Sequence, residues 1–333
     1  MQKAHYAYEL SQMQSLSLRS KVIMTQQRVK AWYDYWDGYI YISVSGGKDS
    51  KVLAHIVKQM YPDALAVFIN TGLEDNSVRE MGIGMADRVL YPEKSFVRVL
   101  TEYGYPVVSK EVAKRVYEYR NAEKKGRLEK SLAYKEFNGI RTLKDGSNSA
   151  YNKSKYKFLV DAPFRISHKC CMVNKEGVAR KFEKETGLYP YLGTLASESR
   201  ARKKVWLEHG CNAWGKTNPS SQPLSFWTEQ DILQYIQENE IEIAKVYGDI
   251  IRDANGKLFT TGADRTGCVF CMFGIGQDLD RFIRLKNTDP VKYDYVMRGG
   301  KFDEYGLWVP HNGLGYKFVI DWLNDNGDLG IKY

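Results

Sequence analysis

The sequence predicts an α/β protein with a parallel central sheet flanked by helices and a helical C-terminal appendage. β-Branched and aromatic runs at 39–44, 64–69 and 189–195 have strand character. Helical patterns at 51–60 and 78–89 follow the first two of these runs. Because strands that alternate with helices pair in parallel, we expect one mostly parallel sheet.

The remaining elements follow in chain order. Residues 8–36 carry scattered apolar side chains and no proline or glycine, which predicts one leading helix. Residues 95–100 have strand character, and Thr228 is placed to cap a helix that opens the appendage. Three domains are predicted. They are an N-terminal helical segment at 1–36, an α/β domain at 37–222 with a basic insertion at about 110–160, and a mainly helical C-terminal region at 223–333.

The composition is that of a folded protein. Of its 333 residues, 43% are hydrophobic and 13% aromatic, which is enough to fill a sizeable core. No apolar stretch approaches the roughly 18 residues of a membrane span, and the first residues lead into no signal-type apolar block. We therefore expect a soluble, cytoplasmic protein.

A basic segment runs from Lys110 through Lys157. It holds fourteen Lys and Arg against six Asp and Glu, almost all of the surplus behind the net charge of +9. Aromatic residues are interleaved with the cations, as on surfaces that hold a polyanion. The segment therefore favours a nucleic-acid partner, with a solvated, salt-bridged helix and a polar loop as an equal alternative.

The turn after the first strand has the features of a phosphate site. Two glycines flanked by serines lead into a helix, so successive backbone N–H groups can converge on an anion at the helix N-terminus. The spacing is neither that of a Walker A loop nor G-x-G-x-x-G. The residues of this turn are Ser45, Gly46, Gly47, Lys48, Asp49 and Ser50.

This turn resembles the PP-loop of the ATP-pyrophosphatase and phosphoadenosine-phosphosulfate (PAPS) reductase superfamily. The resemblance implies an adenine nucleotide α-hydrolase-like fold whose six loop residues hold the nucleotide phosphates. The expected nucleotide is ATP, because the chain lacks the C-terminal cysteine with which reductases attack PAPS, and Mg²⁺ is expected to bridge the oxygens of the departing pyrophosphate. Lys48 and Asp49 are the candidate catalytic residues: Lys48 stabilises the pyrophosphate, and Asp49 is either a structural anchor or a metal contact.

A second motif follows the second strand. Asn70-Thr71-Gly72-Leu73-Glu74 is similar to the Asp-Thr-Gly-x-Glu of the PAPS reductase branch, with Asn70 in place of the usual acid. It lies where adenosine should bind, at the carboxyl ends of parallel strands. Asn70, Thr71, Gly72 and Glu74 are therefore candidate nucleotide-binding residues.

A third motif is Gly-Thr-Leu-Ala-Ser-Glu-Ser-Arg-Ala-Arg at 193–202. It resembles the branch's Gly-x-Arg-x-x-[Glu/Gln]-Ser-x-x-Arg, in which arginines neutralise phosphate or sulfate. Leu195 stands at the first arginine, and Arg200 and Lys203 are the candidates to replace it. Trp-Thr-Glu-Gln-Asp at 227–231 and Val-Tyr-Gly at 246–248 also resemble the branch, so the likeness spans roughly 39–273. The third motif adds four candidate nucleotide-binding residues: Gly193, Glu198, Ser199 and Arg202.

The cysteines predict a metal site. Cys170 and Cys171 are adjacent, Cys268 and Cys271 form a C-x-x-C pair, and Cys211 stands apart as an ordinary small residue. Five bunched cysteines are unlike the even framework of a secreted protein. Four thiolates in two pairs suit an iron–sulfur cluster or zinc, and adjacent ligands favour the larger cluster.

The same cysteine pattern resembles the Cys-Cys…Cys-x-x-Cys that binds a [4Fe–4S] cluster in assimilatory sulfate reductases and in DndC-type ATP pyrophosphatases of DNA phosphorothioation. The resemblance implies a cluster that carries or activates sulfur. A cluster that only fastens the appendage to the sheet is the alternative. Lys175 and Arg265, close to the cysteines in sequence, favour the chemical role.

A missing nucleophile separates the possible functions. Sulfonucleotide reductases attack sulfur with a cysteine in a C-terminal Glu-Cys-Gly-[Leu/Ile]-His tail, whereas no cysteine follows Cys271 here. We therefore expect an ATP pyrophosphatase closest to the DndC type, which adenylates a DNA or tRNA acceptor and takes sulfur from a cysteine desulfurase partner. The alternatives are a PAPS or adenosine-phosphosulfate reductase that uses Cys211 or a partner thiol, and a non-catalytic nucleotide-sensing or nucleic-acid-binding module.

Overall fold

A computed structural model describes residues 5–143, 145–147, 149, 151–215 and 218–333, apart from the side chain of Gln277. Within these ranges, no helix is long and apolar enough to cross a membrane. The helices are, in chain order, α1 (Ala7–Gln14), α2 (Leu18–Tyr35), α3 (Lys48–Met60), α4 (Asn76–Met85), α5 (Phe96–Tyr103), α6 (Lys110–Lys124), α7 (Leu132–Phe137), α8 (Gly177–Thr186), α9 (Arg200–His209), α10 (Glu229–Glu238), α11 (Arg281–Thr288), α12 (Pro290–Met297) and α13 (Tyr316–Gly327). The strands are β1 (Ile40–Val44), β2 (Leu65–Ile69), β3 (Arg88–Leu90), β4 (Val107–Val108), β5 (Tyr189–Leu192), β6 (Asn212–Ala213), β7 (Ser220–Ser221), β8 (Ile250–Arg252), β9 (Leu258–Thr260), β10 (Met272–Phe273), β11 (Lys301–Phe302) and β12 (Trp308–Val309).

The chain packs as two compact units, each built from two stretches of sequence. Unit 1 comprises the described residues of Met1–Pro92 and Val178–Gly267, and unit 2 those of Glu93–Gly177 and Cys268–Tyr333. The domain boundaries predicted at residues 36 and 222 do not coincide with the limits of these two units. They differ because the basic segment and the end of the chain, which are distant in sequence, belong to the same unit.

Unit 1 contains the predicted sheet, with strand order β3-β2-β1-β5-β7-β6. All neighbouring strands are parallel except β6 and β7. The chain builds β1, β2 and β3 outward in one direction and then returns to place β5 on the other side of β1. The strand order therefore reverses between β1 and β5, which is where open α/β sheets bind ligands.

Helices cover both faces of this sheet. Ile40, Ile42 and Val44 of β1 belong to the main core cluster, together with residues of α2, α3 and α10. Tyr41 points to the opposite face, where it packs with Val67 and Phe182. Burial on both faces explains why β1 is apolar without the alternation of a half-exposed strand.

Three predicted elements differ from those observed. The leading helix is two helices, α1 and α2, because Ser17 caps α2 by accepting a hydrogen bond from the backbone N–H of Ser20 at 3.3 Å. The helix predicted to reach residue 89 ends at Met85, and β3 follows it. Residues 95–100 begin the helix α5 rather than a strand, since Ser95 accepts from the Arg98 N–H at 3.3 Å and caps it.

Unit 2 combines α5 to α7 with α11 to α13 and short strand pairs. β4 pairs in parallel with β10, so the segment after residue 267 joins the segment before residue 110. Buried Tyr105 donates a hydrogen bond to the carbonyl of Leu314 at 2.7 Å, and its ring lies edge-on to buried Tyr316. The basic segment is therefore packed into this unit, rather than being an excursion from the sheet as the sequence suggested.

A buried hydroxyl joins α2 to the residues that precede α10. Thr25 is fully buried, accepts from Trp227 Nε1 at 2.9 Å and donates to the Pro223 carbonyl at 3.3 Å. Thr25→Val keeps the side-chain shape but leaves the indole N–H without its acceptor. We expect the free energy of unfolding to fall by about 1–3 kcal/mol in urea titrations. Thr101→Val, on an exposed helical turn, should change it by less than about 0.5 kcal/mol, and equal losses in both variants would contradict this account.

Candidate active site

The predicted phosphate-binding turn, residues 45–50, is called the phosphate loop below. It joins β1 to the N-terminus of α3, as predicted. Gly47 is the N-cap of α3 and has no side chain to occupy the first backbone N–H groups of the helix. These donors, with the positive end of the helix dipole, form a site for an anion. Asp49 lies in the first turn of the same helix.

The two serines of the loop hold its shape. The Ser50 hydroxyl accepts from the Ser45 backbone N–H at 3.1 Å and donates to the Gly47 carbonyl at 2.8 Å. Ser50 is only 4% exposed. The hydroxyl therefore closes the turn from inside, and its role is structural.

A cleft of about 390 Å³ opens at the reversal point between β1 and β5. It is lined by residues that follow these two strands, by two residues near the start of α9, and by a segment that follows α10 in sequence. The lining consists of Ser43, Ser45, Gly47, Lys48, Asp49, Ser50, Leu192, Gly193, Thr194, Glu198, Arg202, Tyr247, Arg265 and Thr266. Eight of the predicted site residues therefore meet in one cleft.

Lys48 is held by protein groups within this cleft. It is 3% exposed, and its Nζ lies 2.9 Å from Glu229 Oε1 and 2.5 Å from the Asp264 carbonyl oxygen. The same ammonium lies 5.0 Å from the centroid of the Tyr247 ring. Lys48 therefore ties the phosphate loop to α10 and to the segment at 264–266.

Two arginines supply the more accessible positive charge. Arg202 forms an ion pair with Glu198, and Arg265 Nη2 lies 3.5 Å from the other oxygen of the same carboxylate. Their side chains are 42% and 54% exposed, respectively. Because Glu198 faces two guanidinium groups, the cluster keeps a net positive charge beside the loop.

Arg265 is a cation of this cleft that the sequence analysis did not assign to the site. Leu195 is 1% exposed in the core, so its position does not face the cleft. Arg200 and Lys203, the predicted substitutes, are exposed and lie outside the cleft lining. The one sequence feature that pointed to Arg265 was its position three residues before Cys268.

Asp49 carries an unused acceptor into the cleft. Its Oδ1 atom is buried and accepts no hydrogen bond from any described residue. Burial raises the pKa of this carboxyl, while the nearby cations Lys48, Arg265 and Arg202 act in the opposite direction. A buried, unpaired carboxylate oxygen at a phosphate site is a suitable ligand for Mg²⁺.

The second motif forms a tight turn after β2. Glu74 is 4% exposed and accepts from the Thr71 hydroxyl at 2.7 Å and from the Leu73 N–H at 3.1 Å. Asn70 accepts from the Gly72 N–H at 3.1 Å. These four candidate residues follow the strand next to β1, but none of them lines the cleft. Glu74 and Thr71 have structural roles here, and nucleotide contact by this motif stays a prediction.

The four predicted metal ligands all lie in unit 2, and all five cysteines are present as thiols. Cys170 and Cys171 directly precede a π-helical turn, Met172–Glu176, a conformation that is frequent at functional sites. Cys268 and Cys271 directly precede β10. One pair therefore opens a helical segment, and the other precedes a short strand of the same unit.

The thiols influence one another electrostatically. A hydrogen bond with Cys171 and burial raise the pKa of Cys170, and the charges of the other three cysteines raise it further. The bond with Cys170, assisted by the charges of Lys110 and Lys175, lowers the pKa of Cys171. Cys171 is therefore the thiol of the pair that more readily forms the thiolate, which is the form that binds metals.

These thiols match an iron–sulfur cluster in donor type. Among the residues that the structure describes, no group of three or more His, Cys, Asp or Glu side chains is placed to hold a single metal ion. A cluster takes its thiolates on separate iron atoms and does not need them around one ion. The [4Fe–4S] assignment, with zinc as the less favoured metal, stays a prediction.

A glycine turn that opens onto a helix N-terminus, at the point where a parallel sheet reverses its strand order, is typical of nucleotide-binding α/β proteins. The family model described as the phosphoadenosine phosphosulfate reductase domain matches residues 39–272. The chain therefore belongs to the PAPS reductase domain family.

Several solved structures are similar to the chain, and one of them is that of a PAPS reductase. A crystal structure of phosphoadenylyl-sulfate (PAPS) reductase from Candida auris, in a phosphate complex, aligns with 77% of this chain and 100% of that chain. The sequence identity is 14% and the TM-score 0.37. No curated protein sequence matches the chain.

Proposed function

We propose that the chain is a PP-loop ATP pyrophosphatase of the PAPS reductase family that activates a nucleic-acid acceptor for sulfur transfer, as DndC-type proteins do. The observation that carries the proposal is the cleft at the reversal point, where helix N–H groups, two arginines and an unpaired Asp49 oxygen converge. This set of groups suits a polyphosphate with a bound divalent cation.

The proposed reaction has two stages. An oxygen of a DNA phosphate or a tRNA base attacks the α-phosphorus of ATP, the bond to the β-phosphate breaks, and pyrophosphate leaves. A persulfide from a partner cysteine desulfurase then attacks the adenylated acceptor and expels AMP. A thiol cleaves the remaining sulfur–sulfur bond and leaves one sulfur on the acceptor.

Each group of the cleft has a role in the first stage. The loop amides and the arginines Arg202 and Arg265 stabilise the negative charge of the departing pyrophosphate. Lys48 positions the loop through Glu229 and adds positive charge. Asp49 would hold Mg²⁺, which when bound neutralises phosphate charge.

The cysteine pairs would serve the second stage. Cys170, Cys171, Cys268 and Cys271 would hold a [4Fe–4S] cluster, which when bound would carry or activate sulfur. Lys110 and Lys175 lower the pKa of Cys171 and so favour its thiolate form. We expect the protein to act in the cytoplasm, where thiols stay reduced.

A sulfonucleotide reductase is the second candidate, since the family model carries that name. Its chemistry needs an accessible thiolate nucleophile. Cys211, the thiol outside the two pairs, is 7% exposed, accepts from the Ser225 hydroxyl at 3.4 Å and lies outside the cleft lining. Burial raises the pKa of Cys211, which disfavours the thiolate.

The test is ATP-dependent pyrophosphate release by anaerobically purified protein, with and without DNA or tRNA. Lys48→Ala should lower the rate at least about a hundredfold, since it removes loop positioning and charge. Lys58→Ala, on the same helix and paired with Asp87, is the matched control.

Sulfite formed from PAPS without ATP turnover would reject the pyrophosphatase in favour of the reductase. A non-catalytic module, to which the departures Asn70 and Leu195 point, would bind ATP and release no pyrophosphate under any condition.

A further inference from the structure

The basic segment of unit 2 contains a first group of cations that hold the fold together. Glu136 is fully buried and receives Arg115 at 2.7 Å, Lys153 at 3.3 Å, and Arg141. Arg120 donates to four backbone carbonyls between residues 159 and 164. These four cations are engaged by protein groups and are not available to a polyanion.

A second group is displayed on the surface. The end of α6 and the turn that follows it carry four exposed cations against two exposed acids, Glu123 and Glu129. Two of the four line a cleft of about 620 Å³. Glu118, the acid of this cleft, is engaged by Arg115 at 2.5 Å, so the cleft is positive. The four turn cations are Lys124, Lys125, Arg127 and Lys130, of which the last two line the cleft.

An exposed aromatic ring is linked to this cleft through ion pairs with one buried carboxylate. Tyr151 is 57% exposed, and the charged groups of Arg141 and Lys153 lie 5.0 and 5.7 Å from its ring centroid. Both cations also bind Glu136, as does Arg115 of the cleft. The ring and the cleft therefore flank one buried carboxylate. An exposed ring backed by fixed cations is a platform for stacking.

We infer that the four turn cations and Tyr151 form a surface that binds single-stranded nucleic acid. The cations contact the phosphates, and the ring stacks on a base. A base can reach the ring only when it is unpaired, so a regular duplex uses the charges alone. This inference rests on the proposed function and specifies its acceptor as a single-stranded or looped segment.

The test is fluorescence anisotropy of the full chain, without ATP, with labelled single-stranded DNA, single-stranded RNA and a DNA duplex of equal length. Arg127→Ala/Lys130→Ala should weaken binding and reduce the salt slope by about 0.7 for each phosphate that the protein no longer neutralises. Tyr151→Ala should weaken single-strand binding roughly five- to a hundredfold, and Tyr151→Phe should retain it. The preferred single strand identifies the acceptor as DNA or RNA.

The control variant is Arg252→Ala/Lys257→Ala, which removes the same two charges from the exposed hairpin β8–β9 of unit 1. It should leave binding within about twofold. Equal affinity for duplex and single strand, or no effect of Tyr151→Ala, would overturn the inference.

Binding and pyrophosphate release are separate measurements. Turnover without nucleic-acid binding would reject this surface and retain the ATP pyrophosphatase. Nucleic-acid binding without turnover would retain this surface and reject the ATP pyrophosphatase.

Discussion

Gly46→Ala should abolish nucleotide binding in a titration where the wild-type protein binds ATP. Gly46 has a φ of +75°, and a Cβ atom there would lie 2.0 Å from the Val78 carbonyl oxygen and 2.9 Å from the Gly82 nitrogen. Both contacts are with backbone, which cannot rotate away. The loop must therefore move, and its N–H groups then no longer converge on the phosphate. We expect at least a hundredfold loss of affinity, with the free energy of unfolding reduced by about 2–4 kcal/mol.

Gly187→Ala separates the steric effect from the conformational one. Gly187 has nearly the same φ, +72°, but a Cβ atom there would meet nothing within 4 Å. This variant should lose about 1 kcal/mol of stability and keep its ATP affinity. If both variants bound ATP equally, the close packing of the loop against α4 would not be needed for phosphate binding.

The sequence predicted the central part of the fold because local and long-range signals agree there. β1 is apolar on both faces and ends in glycines, so strand, turn and helix could be placed within a few residues. Thr228 was correctly placed as a cap, and its hydroxyl accepts from the Asp231 N–H. The elements that differed are those where these signals conflict. The apolar run at 95–100 reads as a strand, but the Ser95 cap and the buried pair Val99 and Leu100 make it a helix.

The candidate site was predicted where its residues are contiguous. Five residues of the phosphate loop line the cleft together with Gly193, Glu198 and Arg202 of the third motif. Arg265 and Glu229 could not be assigned from the sequence, because their approach to the loop depends on how α10 and the segment that follows it pack against the loop. The sequence also could not tell the buried basic residues from the exposed ones, since only the structure shows which cations surround Glu136.

Lys48 and Arg265 illustrate how charge is distributed in this cleft. The lysine of the loop is buried and compensated by Glu229, so its removal would leave a carboxylate beside the phosphate site. The cation that faces the cleft with more exposed surface comes from outside the family motif. Arg265 therefore supplies positive charge beside the loop from a segment outside the third motif. In this way the chain keeps a cation in the cleft although it lacks the first arginine of that motif.

Asp49→Asn should separate the two roles open to this residue. If Asp49 is a structural anchor, the substitution should destabilise the protein. If its unpaired Oδ1 serves the nucleotide and its cation, the metal-free protein should be as stable as the wild type or more stable at pH 7, while pyrophosphate release falls at least about a hundredfold. We expect the second outcome, because no described residue donates a hydrogen bond to Oδ1.

The pH dependence of stability gives an independent test of the same substitution. Burial raises the pKa of Asp49 in the folded state, so the folded protein holds this proton more tightly than the unfolded chain. Below the ordinary carboxyl pKa of 3.8 the aspartate is protonated in both states and ionisation costs nothing. As pH rises above this value and through the raised pKa, the wild type must bury a charge and loses stability relative to Asp49→Asn. The gap should therefore widen as the pH rises above about 4 in urea titrations with a metal chelator. A gap independent of pH, or one that opens as pH falls, would show that the cations around Asp49 already satisfy its charge.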